Sequence, residues 1–180
     1  MRVFIAIEFT DDIKQFLWEK QQEVKKYCTK GNFTYKENFH LTLRFIGEVE
    51  QKELLKLRAA IDEAASSESP FELVLEKLGQ FPRGSRRILW IGLKHSGKLQ
   101  QLYQTLENTL ERQGYEKEER GYNAHITLGR EVQVENLEVL DKDVVIEPQV
   151  LFVKGISLME SARVEGRLTY RPIYTASFSK

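Results

Sequence analysis

HLTL at residues 40–43 and HITL at residues 125–128 are one four-residue pattern written twice, 85 positions apart. A pattern repeated in this way points to an internal duplication, and the same offset tests the idea. Applied to the amino-terminal apolar run Val3–Ile7, it lands on Ile88–Gly92 inside ILWIGL. Both segments are short, β-branched and aromatic, the composition of strands. Between each of them and its motif lies a helix-period stretch, with Ile13, Phe16, Leu17 and Val24 on one face first, then Leu99, Leu102, Tyr103, Leu106 and Leu110. Thr10 or Asp11 can cap the first helix and Ser96 the second, with Gly31 and Gly114 beyond their ends as stops. Strand, helix and motif strand are therefore expected twice.

After Gly47 a second helical pattern runs from Gln51 to Ala65, closes in Ser66-Ser67-Glu68-Ser69-Pro70, and gives way to a strand at Phe71. In the second half Val134–Asp143 suits a short helix, Val150–Met159 and Tyr170–Phe178 read as strands, and Val164-Glu165-Gly166-Arg167 as a turn between them. The expectation is an α+β protein, bilobed and pseudo-symmetric, with two mainly antiparallel sheets flanking a central cleft and helices on the outside. Residues 1–180 are expected to form a single domain built from two similar lobes.

Charge narrows the partners. Basic and acidic residues balance at 27 each, so no overall field draws the molecule to a polyanion or an anionic membrane, and any nucleic-acid contact must be local. MRVFIAIEFT has neither the charge pattern of a signal peptide nor the length of a membrane span, so a cytoplasmic location and no membrane partner are expected. Cys28 is the one cysteine; it cannot form an internal disulfide and has no cysteine partner for a zinc site. A monomer is expected.

Successive side chains on a strand point to opposite faces, so His40, Thr42 and Arg44 should share one face of HLTLRFIG, and Leu41, Leu43 and Phe45 the other. His125 and Thr127 likewise share a face opposite Ile126 and Leu128. Two imidazoles with ordinary pKa values of about 6.5 can supply a neutral base and a protonated acid together near neutral pH, as cleavage of a phosphodiester requires. A threonine hydroxyl two residues along each strand can donate to a non-bridging phosphate oxygen, and a nearby arginine adds a bidentate contact. Neither motif offers a second metal ligand on its own face, so no metal site is expected. His95 reads as an exposed residue leading into a helix, and Glu116–Arg120 as a solvated loop. Phe81-Pro82-Arg83-Gly84-Ser85-Arg86-Arg87 reads as a loop, or as an arm for backbone phosphates, with Phe33, Tyr35 or Tyr122 available to stack a base.

H-L-T-L-R-F-I-G-E and H-I-T-L-G-R resemble the paired H-x-T-x signatures of the two-histidine phosphoesterase superfamily. RVFIAIEF, FPRGSRRILWIGL and SLMESARVEGRLTYRPIYTASF further resemble its RNA 2′,3′-cyclic phosphodiesterase branch, historically the 2′-5′ RNA ligases. The resemblance implies hydrolysis of a 3′-terminal 2′,3′-cyclic phosphate to a 2′-phosphate, with reverse 2′-5′ ligation as an accompanying reaction, no cofactor, and RNA ends such as tRNA fragments as partners. By that analogy His40 is the proton donor, His125 the proton acceptor, and Thr42, Thr127 and Arg130 bind substrate. Strict alternation puts Arg130 on the face of Leu128, so its role requires the strand to bend or end at Gly129, whereas Arg44 satisfies the alternation unaided. The alternatives are the same chemistry on a cyclic nucleotide, a 2′,5′-oligoadenylate or an ADP-ribose cyclic phosphate, and a noncatalytic RNA-binding or RNA-end-joining module.

Overall fold

The 85-residue offset recurs in the topology of the computed structural model, which describes residues 1–179. The first half contains β1 (Arg2–Glu8), α1 (Asp11–Lys25), β2 (Cys28–Phe33), β3 (His40–Glu48), α2 (Leu54–Ser66) and β4 (Phe71–Arg83). The second contains β5 (Arg86–Leu93), α3 (Gly97–Arg112), β6 (His125–Val134), α4 (Leu137–Asp143), β7 (Gln149–Val153), β8 (Gly155–Val164) and β9 (Arg167–Ser177). β1, α1, β3 and β4 thus correspond to β5, α3, β6 and β8.

The strands form two antiparallel sheets, ordered β3-β1-β8-β9 and β2-β6-β5-β4-β7. The halves are intertwined rather than side by side: β4 sits beside β5, and β8 beside β1. The reason is local. Only Gly84 and Ser85 separate β4 from β5, with Gly84 at a φ of +64°, so β4 folds straight back onto the strand that follows it. The arginine-rich segment expected as a loop is therefore the tip of this hairpin, with Phe81, Pro82 and Arg83 inside β4.

Thr10 caps α1 and Ser96 caps α3 through their hydroxyls, which accept from Ile13 and Leu99 N–H, and Gly114 follows the end of α3 at a φ of +97°. Gly31 is not a helix stop: α1 ends at Lys25, and Gly31 lies inside β2 against the Phe33 ring and Val132. The apolar faces of both sheets and the helices meet in one continuous core, in which Ile5, Ile7, Leu41, Leu89, Ile91, Ile126 and Leu128 pack with Leu57 and Ile61 of α2 and Leu102 and Leu106 of α3. Cys28 is half-buried, its thiol donates to the Val24 carbonyl, and burial pushes its pKa up to about 11, which leaves it a poor nucleophile. Among the described residues, no helix is long and apolar enough to cross a membrane.

Candidate functional site

The segment linking helix to motif strand crosses to the other sheet in each half. β2 pairs with β6, after which Thr34 donates its hydroxyl to the Thr127 carbonyl at 2.9 Å. In return Tyr122, just before β6, donates its hydroxyl to the Thr42 carbonyl at 2.9 Å. Each motif threonine is thus held from behind by the other half, which fixes the two strands relative to one another.

Between them lies a cavity of about 100 Å³ whose wall includes His40, Thr42, His125, Thr127 and Arg130, all five of the expected site residues. Thr34, Asn38, Phe45, Asn123 and Tyr170 complete it, and no carboxylate takes part. Among the described residues no three His, Cys, Asp or Glu side chains gather as a metal-binding group.

The two arginines part company at a bulge. Ala6 faces Thr42 while the next residue, Ile5, faces Arg44, so Leu43 is an extra residue in β3. From that point the alternation reverses. Arg44, expected beside His40 and Thr42, passes instead to the core side, where it pairs with Glu107 of α3 and donates to the Glu116 carbonyl. Phe45, expected in the core, turns to the cleft and is 60% exposed. β6 repeats the device: Thr127 faces Trp90 and Gly129 faces Leu89, so Leu128 is the extra residue and Arg130 swings into the cavity. The strand does not end at Gly129, as one option required; it bulges there.

The two imidazoles are mounted alike. His40 Nδ1 donates to the Asn38 carbonyl at 2.7 Å, and His125 Nδ1 donates to the Asn123 carbonyl at 2.8 Å. A carbonyl can only accept, so each neutral ring carries its proton on Nδ1 and keeps a lone pair on Nε2. His40 Nε2 lies 2.7 Å from the Thr42 hydroxyl. Phe4 and Tyr170 flank His40 at 4.8 and 5.1 Å between ring centres, and Phe81 and Trp90 flank His125 at 5.2 and 6.1 Å. The Trp90 indole lies across β4 where Gly79 leaves room; a Cβ there would come within 2.1 Å of the ring.

Sequence reading missed these supports, although one signal was present: the offset that relates His40 to His125 also relates Asn38 to Asn123. The two asparagines differ in use. The Asn38 amide is buried, donating to the Leu168 carbonyl and accepting from Tyr170 N–H, which ties β9 and the Tyr170 ring to His40. The side chain of Asn123 is exposed along the cleft. Nor is the Glu116–Arg120 run a freely solvated loop, because Glu107 accepts from Glu118 N–H and Arg44 holds the Glu116 carbonyl. His95 is exposed just ahead of α3, as expected.

Burial lowers the His40 pKa from 6.5 to about 4, outweighing the Asn38 carbonyl that favours the cation; the charges of Arg130, Lys14 and His125 push the same way as burial. His125 is also lowered, again by burial first and then by Arg130. A histidine whose folded pKa lies below its unfolded value gives stability that is complete above the unfolded value and lost as pH falls from there through the folded one. For His40 that window runs from pH 6.5 to about 4, and the loss is about 3 kcal/mol. Urea unfolding at pH 7 and pH 4 should therefore show a smaller acid loss in His40→Gln than in the parent, by about that amount. Equal losses in the two proteins would mean that His40 is not held neutral by the fold.

Residues 11–165 match the sequence profile of the 2′-5′ RNA ligase superfamily. An RNA 2′,3′-cyclic phosphodiesterase of Archaeoglobus fulgidus is 33% identical over 145 residues, 78% of each chain. One from Thermotoga maritima is 28% identical over 180 residues, covering 99% of this chain and 96% of the other. The crystal structure of E. coli LigT complexed with 3′-AMP superimposes with a TM-score of 0.79 at 26% identity, covering 99% of this chain and 98% of that one. With the duplicated motif, the two intertwined sheets and these matches in agreement, the chain belongs to the 2′-5′ RNA ligase superfamily.

Proposed function

We propose that this protein is an RNA 2′,3′-cyclic phosphodiesterase that opens the terminal cyclic phosphate to a 2′-phosphate without a metal ion, His40 acting as general acid and His125 as general base. The observation that carries this reading is the convergence of two histidines, two threonines and Arg130 on a single carboxylate-free cavity.

In the reaction, water attacks phosphorus opposite the 3′ oxygen. His125 Nε2 takes the proton of the water as the new P–O bond forms, and His40 Nε2 gives a proton to the 3′ oxygen as its bond to phosphorus breaks. The product is a 2′-phosphomonoester beside a free 3′-hydroxyl, and the two histidines have exchanged protonation states. Thr42, Thr127 and Arg130 donate to the non-bridging oxygens, on which negative charge builds as phosphorus becomes five-coordinate. The 5′-hydroxyl of a second RNA in place of water gives a 2′,5′ linkage by the same step.

His40 is neutral in the empty cleft at neutral pH, since its pKa is about 4. The bound phosphodiester anion supplies the opposite charge that the site lacks, favours the imidazolium, and draws the needed proton onto Nε2. Protonation of the acid is thereby tied to occupancy of the site. An RNA end suits the surroundings: a groove of about 480 Å³ leads on from the catalytic cavity past Arg83 and Arg120, where a backbone phosphate can be neutralised. The names carried by the Archaeoglobus and Thermotoga relatives support the same substrate.

The test is turnover of an oligoribonucleotide ending in a 2′,3′-cyclic phosphate, in excess EDTA, with the product identified by phosphorus NMR. Conversion to the 2′-monophosphate is expected. A requirement for added divalent metal, or a 3′-phosphate product, would overturn the mechanism.

A further inference from the structure

We propose that Arg2 and Ser161 form a subsite for the phosphate on the 5′ side of the terminal nucleotide, so that the cleft is built for an oligonucleotide end and not for a cyclic mononucleotide. The inference rests on the phosphodiesterase reading above and deepens it by assigning a path to the RNA strand behind the cyclic phosphate.

An exposed arginine at a strand end is ordinarily a solvated charge. Three observations set Arg2 apart. The first is its face. β1 pairs with β8 in unbroken register, Arg2 with Ser161, Phe4 with Met159 and Ala6 with Ser157. Arg2 therefore shares the face of Phe4 and Ala6, while Val3, Ile5 and Ile7 pack in the core. Phe4 is a ring that flanks His40, and Arg2 is the next residue along that face.

The second is its setting. A groove of about 250 Å³ adjoins the catalytic cavity at Tyr170 and is walled by Phe4, Leu168, Arg2 and Ser161. No carboxylate borders it, and among the described residues Arg2 is the one charged side chain that does. The exposed Arg2 guanidinium makes no hydrogen bond or ion pair among the described residues, and Glu48, its register partner on β3, bonds the Met1 amine at 3.3 Å. Burial raises the pKa of the Tyr170 phenol, and the charges of Arg130 in the cavity and Arg2 in the groove both oppose that rise. One ring thus lies within electrostatic reach of two cations, of which the first faces the reacting phosphate and the second is free for its neighbour.

The third is direction. In an in-line displacement the nucleophile and the departing oxygen lie on opposite sides of phosphorus. With His40 giving its proton to the 3′ oxygen, the ribose lies on the His40 side, and Phe4 and Tyr170, which flank His40, also wall this groove. The larger groove past Arg83 and Arg120 has His125 in its wall and not His40, so it opens on the side from which water, or the 5′-hydroxyl strand of the reverse reaction, reaches phosphorus. The strand that bears the cyclic phosphate leaves over Tyr170, and its first internucleotide phosphate meets a guanidinium and a hydroxyl in a charge-assisted contact. A mononucleoside cyclic phosphate leaves this subsite empty.

Two dinucleotide 2′,3′-cyclic phosphates separate this role from a structural one, the first with an ordinary phosphodiester between its nucleosides and the second with an uncharged methylphosphonate there. The parent protein should favour the first by about fivefold or more in kcat/KM at low salt, mostly through KM. In Arg2→Gln the ratio should fall to near one, and Arg2→Lys, which keeps the charge, should restore most of it. A ratio unchanged in Arg2→Gln, or absent from the parent, overturns the proposal. A ratio that falls only when Arg83 and Arg120 are replaced by glutamine also overturns it, because the strand then leaves by the larger groove. Calorimetric binding of the two dinucleotide 2′-phosphate products reads the same contact without turnover. Tighter binding of the charged product that is lost in Arg2→Gln supports the subsite, and a difference that persists there refutes it. Should the parent hydrolyse neither substrate while product binding still depends on Arg2, the phosphodiesterase reading fails and the subsite stands.

Discussion

Replacing His40 or His125 by glutamine should lower kcat for a cyclic-phosphate RNA end by about 10²–10⁴-fold, the usual worth of a positioned acid or base. On the proposed mechanism the two rings serve one displacement at phosphorus, so the double variant should be little slower than the worse single one. The roles can also be told apart. A nucleoside 2′-(4-nitrophenyl phosphate) has a departing oxygen that needs no proton, so it should recover most of the rate in His40→Gln and little in His125→Gln. Recovery in the His125 variant alone would reverse the assignment, and a near-normal rate in either variant on the RNA end would remove that residue from the mechanism. Thermal melting above pH 7 controls for folding, since both rings are neutral there and glutamine keeps one amide donor and one acceptor. The fold gives the pair different exposures that suit this division. The His40 bond to Asn38 is partly buried behind Phe4 and Tyr170, whereas the His125 bond to Asn123 lies at the surface.

How far the sequence reads can be followed along β3 and β6. Local signals were sufficient for the strands, the helices and their caps, because Thr10 and Ser96 act within one turn and the apolar periods are long. The duplicated motif was enough to bring both histidines and both threonines into one cavity. Alternation then failed at Leu43 and Leu128, where one extra residue reverses the side chains that follow, Arg44 and Phe45 in β3 and Arg130 in β6. A bulge has no strong local signature, so Arg44 and Phe45 were exchanged between faces. Arg130 was anticipated only on the condition that β6 departed from regular pairing. The swap of β4 and β8 was also beyond a linear reading, since it depends on which sheet the Gly84–Ser85 turn makes adjacent.

The misplaced arginine supplies the second large effect. Arg44 and Glu107 have side chains only 12% and 4% exposed, and their ion pair spans from β3 to α3. The pair also reaches the segment ahead of β6, Arg44 through the Glu116 carbonyl and Glu107 through Glu118 N–H. Removing one partner leaves the other charge buried and unanswered, so Glu107→Leu should cost about 3–5 kcal/mol in urea unfolding. Replacing both partners by leucine removes the stranded charge, and the double variant should recover much of that loss, because apolar residues can fill such a site without the desolvation cost of two ions. Catalysis should not recover in parallel. The Glu116–Asn123 connector would have lost two of its anchors, and Asn123 holds the His125 ring. The double variant should therefore be stable yet slow, with the deficit chiefly in kcat. Full activity in it would mean that the connector is positioned by the Tyr103–Tyr122 stack and the Tyr122 bond to Thr42 alone. A double variant as unstable as Glu107→Leu would mean that the loss comes from packing around α3 and not from the stranded guanidinium.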